Sequence, residues 1–137
     1  MHTVELYKEF RFDAAHFLPH APDGHPNKRM HGHSFRVSVF MRGAPNAETG
    51  LLQDLQEVNE AIAKVHDLLD HNTLNEIAGL EVPTLENLSI FIFNALADAL
   101  PTLYKVGVHR DSLHEGCEYG VLGFFRPKTT IIAESPA

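Results

Sequence analysis

At 137 residues, 44% apolar and 21% charged, the chain has the size and composition of one folded domain, which excludes a disordered or fibrous polymer. A net charge of −7 with the histidines neutral excludes generic binding to nucleic acid or to an anionic membrane, because both need a basic field. No run reaches the roughly 20 apolar residues of a membrane span, no basic segment leads into an apolar one at the N-terminus, and the lone Cys117 leaves no internal disulfide and suits a reducing cytoplasm.

Residues 3–16 alternate with period two. Val4, Leu6, Phe10, Phe12 and Ala14 fall on one side, with Lys8 as the exception, and Thr3, Glu5, Tyr7, Glu9, Arg11 and Asp13 on the other, which predicts a strand with one buried and one wet face. Residues 17–30 hold three prolines and a glycine and form a loop long enough to suggest function. Residues 31–42 return as a strand, with Phe35, Val37, Val39 and Met41 inward and Ser34, Arg36 and Ser38 outward, broken by Phe40. After a turn at 43–50 the spacing becomes helical: Leu55, Val58, Ile62, Val65 and Leu69 share a face, with Asp54 as N-cap. Thr84 opens a second helix with a broad apolar stripe, which Pro101 stops. Residues 103–111 and 117–126 read as strands around a turn containing Gly116, and 128–133 as a short edge strand before a frayed tail. The order predicts an α+β domain: an antiparallel four-stranded sheet with two helices on one face.

Histidine is over-represented, at ten residues. His31 and His33 are two apart on a strand, so they point to the same side, and they share the inward parity of Phe35 and Val37. His16 ends the first strand with the inward parity of Phe12 and Ala14. If the two strands pair antiparallel, the end of the first meets the start of the second and the three imidazoles converge. Three imidazoles with one open position make a catalytic zinc site; iron(II), nickel or cobalt also accept imidazole, whereas soft-ligand metals are disfavoured. Gly32 would let the backbone approach a bound group closely.

Asp70 and His71 close the first helix. An aspartate can orient a histidine for proton transfer, but neighbours in sequence rarely bond well, so the pair suggests action across a subunit boundary; otherwise it is a helix C-terminus with a histidine placed well against the dipole. Pro83-Thr84-Leu85-Glu86 reads by default as a helix start with Thr84 as cap and Glu86 in the first turn. Asp111 stands at a strand end, where an acid either faces a cleft or starts a turn. Cys117 packs as a small apolar residue.

These residues resemble a known family. Phe12-Asp13-Ala14-Ala15-His16 with Leu18-Pro19-His20, His31-Gly32-His33-Ser34-Phe35, Leu69-Asp70-His71, Leu74-Asn75 and Pro83-Thr84 with Glu86 follow the order and spacing of the 6-pyruvoyltetrahydropterin synthases. The branch they resemble is the bacterial 6-carboxytetrahydropterin synthase of queuosine biosynthesis, over roughly residues 4–120. The resemblance implies the tunnelling fold, in which such sheets assemble into a barrel, typically a hexamer of two stacked trimers with active sites between subunits. It implies zinc on His16, His31 and His33, an acid–base relay of Asp70 and His71, substrate contacts from Thr84 and Glu86, and Asp111 in place of the glutamate that holds the pterin ring and joins the relay. It also implies 7,8-dihydroneopterin triphosphate as substrate, with Lys28, Arg29 and Arg36 as candidates for its triphosphate. Two positions depart. The family's catalytic cysteine is Asn27 here, which cannot form a thiolate, and Asp111 is one methylene shorter than the glutamate. Either another base serves, with His25 nearby, or the product differs, or the protein binds pterin or zinc without turnover.

Overall fold

The computed structural model describes residues 2–121. Four strands form one antiparallel sheet in the order β1 (Val4–His16), β2 (His31–Gly43), β3 (Leu103–Arg110) and β4 (Glu115–Gly120). Two helices, α1 (Leu55–Leu69) and α2 (Leu85–Ala97), lie between β2 and β3 in sequence and cover one face. The α+β class, the strand order and the helices match the expectation from period. The core lies between sheet and helices: Phe12, Phe35, Val37, Val39 and Met41 meet Val58, Val65, Leu69, Leu88, Ile92 and Leu96. Phe12 stacks on Phe35 across the first pair of strands at 4.8 Å. Burying such a layer is the main favourable term in the fold.

Asp54 caps α1 by accepting from the Gln56 amide, and Thr84 caps α2 by accepting from the Asn87 amide. The last turn differs from the sequence reading. β4 starts at Glu115, two residues early, and Gly116 lies within the strand opposite His109 instead of in the turn. The reversal is made by Asp111–Leu113, closed by His114 in the left-handed region at φ 54°. A Cβ on Gly116 would sit 2.5 Å from His109 Nδ1, so the strand needs glycine there because an imidazole lies over it. The expected strand 117–126 is described only to Gly120, and the edge strand expected over 128–133 lies outside the described residues.

The unhelical face of the sheet is polar. Arg36 bridges Glu9 and Asp111, Ser38 donates to Glu9, and Arg42 pairs with Glu5.

Candidate metal centre

The register of β1 on β2 runs from Val4 opposite Gly43 to His16 opposite His31. Side chains alternate, so His16, His31 and His33 share the helix-facing side at one end of the sheet. Their ring centroids are 4.6–5.0 Å apart, and one ligand nitrogen from each falls within 4.8 Å of the others. His16 is almost fully buried, at 1% exposure.

The hydrogen bonds fix which nitrogens are free. His16 Nδ1 lies 3.0 Å from the Pro83 carbonyl oxygen, and His31 Nδ1 lies 2.7 Å from that of Arg29. A carbonyl only accepts, so both Nδ1 atoms carry protons. Both neutral rings then present a bare lone pair at Nε2, and the two Nε2 atoms are 3.0 Å apart. Facing lone pairs repel unless a proton or a cation lies between them. Burial pushes the His16 pKa down to about 4, with the His31, His33 and Arg110 charges adding to the effect, so His16 is not the ring that supplies a proton near neutrality. Tetrahedral zinc with Zn–N bonds of about 2.0–2.1 Å would hold such nitrogens about 3.4 Å apart. The donor set therefore fits a divalent cation of the zinc type, with carbonyl partners that orient the rings.

The chain leaving α1 is laid along the free edge of β1 beside this cluster. His71 N donates to the Asp13 carbonyl at 2.7 Å, Ala15 N donates to that of Asn72 at 3.1 Å, and Ala15 bridges Thr73. Asp70 Oδ1 accepts from the Asp13 amide at 2.9 Å, and Asp70 Oδ2 lies 2.7 Å from His71 Nδ1. The sequence expectation that these neighbours would bond poorly is corrected here: His71 adopts φ 58°, which turns its ring back onto the preceding carboxylate. The Asp13 amide, then the His71 ring, hold the Asp70 carboxyl below the usual range, and Asp70 raises the His71 pKa. His71 Nδ1–H donates to Asp70, leaving Nε2 to accept a proton. His71 and His33 line one cleft of about 450 Å³. Asn75 anchors the entry to the long loop by bonding both the N–H and C=O of Phe17.

Thr84 Oγ1 is engaged in capping α2 at 3.1 Å; the preceding carbonyl, Pro83, is the one that holds His16. Glu86 is exposed in the first turn of α2. Asp111 is on the polar face, paired with Arg36 and Arg11, and is not among the residues lining the cleft. Asn27 lies in the short 3-10 turn Pro26–Lys28, where its amide donates to His25 Nδ1. Lys28 pairs with Asp23 and Arg36 with Asp111 and Glu9, while Arg29 supplies the backbone carbonyl to His31.

Two side chains at the cluster escaped the sequence reading. Arg110 Nη1 lies 3.5 Å from His33 Nε2, and Arg110 Nη2 pairs with Glu115. Burial and the Arg110 charge lower the His33 pKa. The one signal in the sequence is the parity that Arg110 shares with Val106 and Val108 on β3.

The chain matches the family model of 6-pyruvoyl tetrahydropterin synthase over residues 5–120. It is 41% identical over 113 residues to the 6-carboxy-5,6,7,8-tetrahydropterin synthase of Synechocystis sp., covering 75% of this chain and 83% of that one. It is 29% identical over 114 residues to the human 6-pyruvoyl tetrahydrobiopterin synthase, covering 76% and 74%. The solved Caenorhabditis elegans 6-pyruvoyl tetrahydropterin synthase superposes with a TM-score of 0.78 at 27% identity, covering 88% of this chain and 97% of that one.

Proposed function

The chain belongs to the 6-pyruvoyl tetrahydropterin synthase family and is a pterin-converting enzyme, and from that premise we propose a zinc-dependent lyase acting on 7,8-dihydroneopterin triphosphate. It releases triphosphate and forms 6-carboxy-5,6,7,8-tetrahydropterin, or 6-pyruvoyltetrahydropterin, in the cytoplasm, as a step of queuosine biosynthesis. The observation that carries the reading is one cleft lined by both His33 and His71, with the imidazole cluster behind the first and the Asp70 carboxylate behind the second.

His16, His31 and His33 would hold the zinc, which supplies Lewis acidity toward a side-chain oxygen of the substrate. His71 Nε2 takes and returns a proton at the substrate side chain, and Asp70 fixes the ring's tautomer and stabilises its charged form. The Glu86 carboxylate accepts from the guanidine-like edge of the pterin, and the Pro83-Thr84 turn sets where Glu86 begins. Asp111 could contact the ring only from a neighbouring subunit, which suits a homohexamer of two stacked trimers with sites at subunit boundaries. No nucleic acid or membrane takes part, and no helix among the described residues is long and apolar enough to cross a membrane.

Asn27 favours a second reading, in which zinc and pterin binding persist while the cleavage changes to an aldolase type or turnover is lost. Zinc-loaded protein incubated with 7,8-dihydroneopterin triphosphate separates them by mass spectrometry. Acetaldehyde with carboxytetrahydropterin supports the first reading, and a hydroxymethyl pterin supports the aldolase. Tight binding with no product leaves a binding protein and sinks both enzymatic readings.

A further inference from the structure

The cleft that His33 and His71 line is also lined by Asp13, Ala15, Gly32 and Ser34. These four form two facing pairs on β1 and β2, Asp13 opposite Ser34 and Ala15 opposite Gly32, and share one side of the sheet. Gly32 is not a glycine that the fold demands. Its φ is not positive, and a Cβ there would meet only the Ala14 carbonyl oxygen, at an ordinary contact distance of 3.5 Å. The missing side chain therefore serves the space of the cleft, where it lets an occupant approach the backbone.

Asp13 stands beside this space on a fixed frame. Its amide donates to Asp70 Oδ1 at 2.9 Å and its carbonyl accepts from the His71 amide at 2.7 Å, so its backbone is tied to that pair twice. Ser34 Oγ donates to Asp13 Oδ1, which fixes the carboxylate, while Oδ2 has no hydrogen bond among the described residues. After Asp70, the Asp13 charge also helps to raise the His71 pKa, so the carboxylate lies within electrostatic reach of that ring. No lysine or arginine lines the cleft, and a lone carboxylate there suits a neutral donor and repels an anion.

We propose that Asp13 is a specificity-determining residue: within the pterin reading, on which this assignment rests, its Oδ2 accepts a hydrogen bond from a hydroxyl of the substrate's polyol side chain. Hydroxyls are the donors that such a side chain offers beside His71. A hydroxyl on a carboxylate makes a charge-assisted bond, and a site built around one rejects an analogue that lacks the hydroxyl. Asp13 thus selects pterins with a hydroxylated side chain over those with an alkyl group at the same carbon, and Gly32 leaves room for the chain to lie against the sheet.

Neopterin, with a polyol side chain, and 6-methylpterin, with none, are both fluorescent and serve as probes without turnover. Each is titrated into zinc-loaded wild type, Asp13→Ala, Asp13→Asn, Ser34→Ala and Gly32→Ala, with zinc content and urea midpoint checking that each variant is folded. Asp13→Ala should bind neopterin about 10- to 100-fold more weakly, the loss of a hydrogen bond to a charged group, and 6-methylpterin within about threefold of wild type. Asp13→Asn, which keeps the shape and loses the charge, should shift the same ratio by less and serves if alanine unsettles the strand. Ser34→Ala, which frees the carboxylate to rotate, should weaken neopterin alone by a smaller factor. Gly32→Ala should keep its zinc and its stability and bind neopterin about tenfold more weakly, because a methyl group fills the seat. Equal losses for the two probes, no loss in the Asp13 variants, or unchanged neopterin affinity in Gly32→Ala overturns the assignment while the pterin reading stands. A wild type that binds neither pterin overturns both.

Discussion

Lowering the pH should unfold the metal-free protein through one buried ring. His16 is 1% exposed and donates Nδ1–H to Pro83, so a second proton, at its Nε2, would put a charge where water does not reach. Its pKa is about 4 in the fold against an ordinary 6.5. The unfolded chain therefore takes up this proton near pH 6.5 and the folded chain only near pH 4. Between those values the unfolded state holds more protons, so stability falls as pH falls; above and below the window this ring contributes no slope. At about 1.36 kcal/mol per pKa unit, the total is about 3 kcal/mol, a large share of a typical 5–15 kcal/mol. Urea unfolding in chelator, at half-unit steps from pH 7.5 to 3.5, reads the stability of the wild type and of His16→Gln. The fold also lowers the His33 and Glu9 pKa values, chiefly by burial and by the Ser38 hydrogen bond respectively, and raises that of His71 through Asp70, so the difference between the two curves is the measured quantity. It should change by about 3 kcal/mol across the window. Parallel curves would refute the burial argument and with it the neutral state of His16.

Zinc at about 100 times its Kd should stabilise the wild type at pH 7 by about 2.7 kcal/mol, or roughly 5–15 °C in Tm; His31→Ala should show no such rise in calorimetry and should retain no zinc by elemental analysis. In Asp70→Asn the His71 pKa should drop toward its ordinary value, measured by NMR titration, with turnover lower by about 10²–10⁴-fold. An unshifted ring would mean that the pair does not work as a unit. Thr84→Ala should cost about 1 kcal/mol in urea unfolding, the value of a helix cap. Asp111→Asn should leave zinc affinity unchanged by calorimetric titration and barely move the urea midpoint, because its ion pairs with Arg36 and Arg11 are exposed to solvent.

By itself the sequence determined what depends on short-range period. Alternation along 3–16 and 31–42 set the faces of β1 and β2, and with antiparallel pairing it was enough to bring His16, His31 and His33 to one end of the sheet. Helical spacing and the Asp54 and Thr84 caps placed α1 and α2 for the same reason: side-chain direction follows from local backbone geometry. The tertiary structure alone decided what depends on a single dihedral or a distant partner. A left-handed His71 joined it to Asp70. The turn at Asp111–Leu113 sent Asp111 to the arginines of the polar face while Arg110 and Glu115 met at the histidines. The carbonyls of Pro83 and Arg29, which carry no sequence signature because every residue has one, fixed the tautomers that leave two Nε2 lone pairs facing each other.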